Sequence, residues 1–433
     1  MADDFTIELP EQISELAQEL RDRPTNRPAS EKDDSGAPVY QRDTTVPKEL
    51  AVLEVRGQHF TNWTSVRVEQ KWTEAFPTFQ FECTEEVNVP LSVFGSQFVP
   101  GDVVRVLLGG QPAVFGYITE RHVGYDKGQH GIKLIGCGDT SDLVNSSVPL
   151  DKLDGHDGKS VAQLAQDLST HLGIQIHQRG AVDGTPYENI QVLPGETPMM
   201  AIERYAKGRS IVIGSEANGG LLLIGEHGVS TKGYLVEGIN ILRANAVARD
   251  PMVYKKIFAV AQNKGSNSAN GAATNQMVAE ESGTSSRNRH KVVVADVADK
   301  QHGVQRRAAM EKVFTEGSFI EAQITVQGWF KDGNVSDDIW RAGEYYAITS
   351  PSLILFEEVM GCAGCTYEQN AGGTTTTLKM VMPIHMNGMF NFRNEAMIHR
   401  ANKIAEAKAA QEAANAAARA APGPDQTLPM RRR

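Results

Sequence analysis

Cys362 and Cys365, in the run Cys-Ala-Gly-Cys, are the sharpest chemical feature of this 433-residue sequence. A C-x-x-C pair can supply half of a zinc site or a redox couple. A structural zinc site needs four ligands. The other cysteines, Cys83 and Cys137, stand far off, and His385 has no paired partner. A redox couple of the thioredoxin kind opens a helix, whereas this pair lies between β-rich runs. It therefore reads as a turn of small residues that tolerate burial. The run Asp332 to Asp338 has the oxygen density of a calcium loop, with Asp332, Asn334, Ser336 and Asp338 alternating. That loop requires glycine at its sixth position and glutamate at its twelfth. Here Gly333 is second and Gly343 twelfth, which favours a polar hairpin turn.

Other chemistry is absent as motif. The glycines of GGQPAVFG and GSEANGGLLLIG do not open a helix after a strand, as a phosphate-binding loop must. The 11 histidines are scattered, and neither H-E-x-x-H nor G-x-S-x-G occurs. Glu120, Asp126 and Asp139 lie near one hairpin, where acidic residues read as solvated turn residues. The Asn-x-Ser/Thr matches at Asn62, Asn145 and Asn334 are short enough to be chance. No catalytic, cofactor-binding or metal-binding residue is assigned, and no enzymatic activity is expected.

A formal net charge of −10 argues against a general nucleic-acid binder, which carries a basic face. No apolar run reaches the roughly 18 residues of a membrane span, so no membrane anchor is expected. The start MADDFTIELPEQ lacks the features of a secretory signal, and synthesis in a host cytoplasm is the expectation. Four cysteines in so long a chain do not make a disulfide framework.

Five segments follow from pattern. Residues 1–50 read as a flexible arm, with a short helix around Ile13 to Leu20. Residues 51–150 alternate at period two: Val66, Val68 and Trp72 share one face, and Phe79, Phe81 and Cys83 another. Gly109-Gly110-Gln111-Pro112 signals a hairpin. Several short strands without helices indicate a small barrel or sandwich. Residues 151–245 are mixed α/β. One helix is capped by Ser160 with Gln163 completing a capping box, and another by Thr197 with Pro198 at its first position. Residues 246–385 return to β character, broken by a Ser/Asn/Gly loop over 263–290 and a helix near Gly303 to Phe314. Residues 386–433 are Ala-rich and helix-favouring up to Pro422. The fold class is therefore α+β, mainly β: two small β-barrel-like domains bracketing a small α/β domain, with a C-terminal helix.

The order of parts resembles the baseplate hub proteins of contractile-tailed phages, most closely the Mu-like hub, with the T-even hub and the type VI secretion spike base as larger relatives. The motifs that carry this are Phe115-Gly116, Gly136, Asp142-Leu143, Gly328-Trp329, Trp340 and Gly343. Cys137-Gly138-Asp139 departs from the family's usual Arg-Ser. The resemblance implies that Phe115, Trp329 and Trp340 are packing anchors and that Gly116, Gly328 and Gly343 permit turns or close strand approach. It implies a homotrimer forming a pseudo-sixfold ring in the virion. That ring would join the tail tube protein to a central spike protein and touch baseplate wedge or other tail proteins, with DNA passing through without specific binding. No cofactor is implied. The alternative is a virion-associated hydrolase or glycan-binding β protein.

Overall fold

The computed structural model describes residues 31–32, 38–72, 74–85, 98–125, 130–250, 253–262, 276–295, 301–331, 337–353 and 355–389. The expected helix near Ile13, Asp126, most of the calcium-like run and the Ala-rich C-terminal segment lie outside these residues.

After a short two-stranded pairing of Glu31–Lys32 with Pro38–Val39, seven strands follow: β1 (Ala51–Val55), β2 (Gln58–Phe60), β3 (Ser65–Lys71), β4 (Thr78–Glu85), β5 (Val103–Leu108), β6 (Gln111–Tyr125) and β7 (His130–Gly138). Val66 and Val68 of β3 are buried while Arg67 between them is exposed. β5 and β6 turn on Gly109 and Gly110, at φ 57° and 84°, the left-handed backbone that a two-residue hairpin requires.

The chain then builds an α/β unit. α1 (Val161–Ser169) begins at Ser160, whose Oγ accepts from the Gln163 N–H while the Gln163 side chain accepts from the Ser160 N–H. It is followed by β8 (Ile176–Arg179), α2 (Pro198–Gly208), β9 (Val212–Ser215) and β10 (Leu221–Ile224). The strands form a sheet in the order β8-β10-β9. Leu221 and Leu223 of β10 pack with Leu164 and Leu168 of α1 and Ile202 and Tyr205 of α2.

β11 (Thr231–Val236) and β12 (Ile241–Ala248) leave this unit and join the large sheet described below. β13 (Lys256–Gln262), β14 (Gln276–Ser282) and β15 (His290–Val294) form a separate sheet in the order β14-β13-β15. It packs on α3 (Gln301–Gly317) through Ala259, Ala261, Ala279, Val304 and Ala308. The stretch read as one loop thus contains β14. Its inward apolar residues, Met277 and Ala279, are few, and Val278 on the outward face with Glu280 and Ser282 masks the alternation.

β16 (Ile320–Gln327), β17 (Tyr345–Ser350), β18 (Leu355–Asn370) and β19 (Gly373–Val381) complete the large sheet. Thirteen strands hydrogen-bond in the order β12-β16-β19-β18-β3-β4-β7-β6-β5-β1-β2, with β17 also on β18 and β11 on β17. Two halves with one strand order are evident. The first runs β3-β4-β7-β6-β5-β1, the second β12-β16-β19-β18-β17-β11. They differ at the end, where β1 runs antiparallel to β5 but β11 parallel to β17. The chain is α+β and mainly β, but its two β parts are not separate bodies. β18 pairs with β3, and one apolar cluster runs from Leu53, Val68 and Phe81 to Ile324, Trp340 and Leu378.

Cys362 and Cys365 lie within β18, not in a turn. The register shifts between Cys362 and Gly364, so Ala363 is an extra bulge residue. The bulge brings both cysteines to one side, fully buried, with sulfurs 3.3 Å apart. Small residues that resemble a turn serve a kink in a strand.

Candidate functional site

The joint between the halves consists of six register pairs, from Gly364 opposite Lys71 to Gln369 opposite Val66. Tyr367 faces Val68, both with no exposed surface. The Tyr367 hydroxyl donates to the Trp340 carbonyl. Gln70 Nε2 donates to the Ala113 carbonyl at 2.6 Å, tying β3 to β6. On the outer side, Arg67 pairs with Glu368.

Beside the joint lies a charged cluster shared by both halves. Lys331 Nζ stands 2.6 Å from Asp338 and 2.7 Å from Glu344. Burial alone would lower the Lys331 pKa, but Glu344 and Asp338 outweigh it and hold the ammonium above its ordinary value. Burial would likewise raise Asp338, but Arg341 and Lys331 hold it below the usual carboxylate range. Arg341 donates to Gln111 Oε1 at 2.8 Å and to the Pro112 carbonyl at 3.1 Å, both in the first half. Its guanidinium carbon lies 4.1 Å from the Tyr40 ring centroid.

Tyr40 begins a strap that the sequence reading assigned to the flexible arm. Arg42 Nε donates to the Gly109 carbonyl at 2.7 Å, Lys48 pairs with Asp337 at 3.0 Å, and Val46 is buried. The partners lie far along the chain, so local composition did not betray the packing. Gly110 sits so close under the strap that a Cβ there would stand 2.1 Å from the Asp43 carbonyl oxygen.

A third corner joins the α/β unit to the sheet. Arg179 donates to the Gly343 carbonyl at 3.0 Å and lies 5.1 Å from the Trp72 ring centroid, a cation–π contact. Gly343, at φ 90°, lets Trp72 approach; a Cβ would meet that ring at 2.2 Å. Nearby, buried His227 donates from Nδ1 to the Gly225 carbonyl at 3.0 Å and accepts at Nε2 from the Tyr345 hydroxyl at 2.7 Å. Burial lowers its pKa to about 4, with Arg179 adding to the effect. The folded pKa is below the unfolded one, so the contribution to stability is complete above about pH 6.5 and is lost as pH falls towards 4. A shift of this size is on the order of 3 kcal/mol. Urea midpoints should therefore drop between pH 7 and pH 4.5, and His227→Gln should flatten that drop. An equal drop in both proteins would refute the assignment.

A cleft of about 60 Å³ opens among these groups, lined by Tyr40, Gln70, Trp72, Arg179, Glu216 and Glu344. That volume holds about two waters; ligand pockets run from roughly 300 to 1,000 Å³. Among the described residues, no group of three or more His, Cys, Asp or Glu is placed to hold a metal ion.

The residues singled out from sequence fall into three places. Trp329 and Trp340 adjoin, the Trp340 N–H donating to the Trp329 carbonyl at 3.0 Å, and both are buried. Gly328, at φ 72°, and Gly343 flank them. Gly116 and Gly136 sit where β6 and β7 press together: a Cβ on Gly116 would stand 1.9 Å from the Cys137 carbonyl oxygen, and one on Gly136 2.1 Å from the Phe79 ring. Phe115 is buried near Gly219. Asp142 and Leu143 start a one-turn helix; Leu143 is in the α/β core, and burial raises the Asp142 pKa. Asp139 is not a solvated turn residue. It is buried and its carboxylate accepts from the Gly220 N–H at 3.1 Å. Arg341, Lys331 and Tyr40 were missed, although Lys331 and Arg341 each follow an aromatic residue in an apolar run.

Comparison with known proteins bears on these same elements. Residues 51–138 match the family described as Mu phage baseplate assembly protein GpP-like, N-terminal. Residues 140–225 match baseplate hub protein gp44-like, second domain. A 43 kDa tail protein of prophage MuSo2 from Shewanella oneidensis shares the fold at a TM-score of 0.67 and 22% identity, covering 79% of this chain and 100% of that one. A tail protein from Neisseria meningitidis MC58 does so at 0.64 and 19%, covering 78% and 98%. No curated protein matches by sequence. Two adjoining stretches, residues 51–138 and 140–225, thus match domain families of baseplate hub and baseplate assembly proteins in order, and the chain resembles the Mu-like baseplate hub proteins of contractile-tailed phages.

Proposed function

We propose that this protein is the structural hub of a contractile phage tail, a homotrimer whose ring joins the tail tube to the central spike. The observation that carries the reading is the pair of sheet halves with one strand order, β3-β4-β7-β6-β5-β1 and β12-β16-β19-β18-β17-β11, in a single chain. Three chains then present six similar halves. Such an object is threefold by composition and nearly sixfold by shape, and can meet a hexameric tube on one side and a trimeric spike on the other. Closed symmetric rings are the general solution to such a joint. DNA passes through the ring without specific binding, consistent with the net charge of −10. The protein works in the virion tail and in contact with other tail proteins. Neither matched family is catalytic in description.

Co-purification tests the role. The chain mixed with the tube protein and the spike protein of its own tail should retain both at once. Retention of neither, with the chain folded, would contradict it.

A further inference from the structure

The sheet contains one joint made and, by the same geometry, one left open. In the second half, β18 pairs with β17 as far as Gly361 opposite Tyr345. Beyond the bulge at Ala363 the same edge of β18 takes β3. In the first half, β6 pairs with β5 as far as Tyr117 opposite Val103. The register of β6 with β7 shifts between Ile118 and Glu120, placing an equivalent bulge at Thr119. Beyond that bulge, no strand among the described residues takes the corresponding edge of β6.

The other partner of the joint is also duplicated. A row of register pairs runs Val68–Phe79–Gly136–Ile118 across the first half. The matching row in the second is Ala246–Ala322–Met380–Cys362. β12 is thus the counterpart of β3. It pairs with β16 on one side; beyond an isolated bridge from Ile241 to Glu237 at its start, no other strand among the described residues pairs with it. Burial follows the same division. Tyr367 and Val68, inside the joint, have no exposed surface, whereas their counterparts Val123 and Ala246 are exposed, Val123 by 46%. No residue of β12 is buried, and Leu242 and Val247 are 57% and 46% exposed. A long open edge with apolar side chains on it is a template for pairing with another strand.

We infer that the outer stretch of β6, Glu120–Gly124, pairs antiparallel with β12 of a second copy of this chain, in the register of the internal joint between β18 and β3. Transferring the pair Tyr367–Val68 places Val123 opposite Ala246 of the second copy. Transferring Gly364–Lys71 places Glu120 opposite Arg249 of the second copy. That opposite-charge pair follows from the register of the joint alone. Glu120 now contacts His122 and Arg249 contacts Glu321, all part-exposed, so both can reach across. Each copy offers one β6 edge and one β12 edge, so the contact is head-to-tail, the kind that a threefold rotation closes into a ring. This inference rests on the trimer reading above and specifies its subunit contact.

Cysteine pairing tests it in the full chain. Val123→Cys combined with Ala246→Cys, oxidised with diamide, should give covalent species of two and three chains on a non-reducing gel. Val123→Cys combined with Ala244→Cys, two residues out of register, should give at least tenfold less, as should each single variant. All three substituted positions are exposed or half-exposed, and unchanged melting temperatures confirm the fold. A protein that is trimeric by light scattering yet shows no preference for the 123/246 pair overturns this contact and leaves the trimer standing. A protein that stays monomeric with and without its tube and spike proteins overturns both.

Discussion

Replacing Trp340 by alanine should lower stability by about 3–5 kcal/mol, the range for removing a large buried aromatic side chain from a core. The ring is fully enclosed and meets Tyr346 edge-on at a centroid distance of 5.0 Å. The backbone carbonyl of Trp340 also receives the hydroxyl of Tyr367, the central residue of the joint. The loss should therefore appear as a lower urea midpoint, and the variant should fail to enter assembled tails. A hub residue that packs gives this pattern. A residue that contacts a ligand gives a variant of normal stability with reduced binding, and that outcome would count against the structural reading.

Arg341→Met should cost about 3 kcal/mol, at the lower end of the roughly 3–5 kcal/mol for breaking a buried ion pair by removing one partner. The lower end applies because Asp338 is 43% exposed in its side chain and keeps Lys331. What is lost without compensation is the link to Gln111 and the Pro112 carbonyl in the other half of the sheet, together with the stacking on Tyr40. Arg341→Lys should recover little of it, because one ammonium cannot reproduce the fork of the guanidinium. Urea denaturation of both variants checks this; full recovery by lysine would show that charge alone matters there.

Much of the fold was legible because it rests on local signals. Ser160 and Gln163 form their box, Thr197 and Pro198 start α2, and Gly109-Gly110 turns the hairpin. Other features depend on partners distant in sequence. The bulge at Ala363 makes Cys362 and Cys365 resemble a turn. Tyr40 to Lys48 read as a loose arm because Gly109, Asp337 and Arg341 supply their contacts. β12 alternates weakly because only Ile241 and Ala244 of it are half-buried against the core, the rest being exposed in one chain. The site residues chosen from sequence were the large and the small ones, tryptophans and glycines at close approaches. The charged residues that tie the halves together, Lys331 and Arg341, carry no motif, since any chain with an apolar core needs some basic residues near its rim.

The most direct test of the hub account is the mass and symmetry of the purified protein, by light scattering and averaged electron micrographs, alone and with its spike protein. The account predicts a particle of three chains with a central hole and six similar lobes around it. A monomer under both conditions, or a particle of any other copy number, would contradict it.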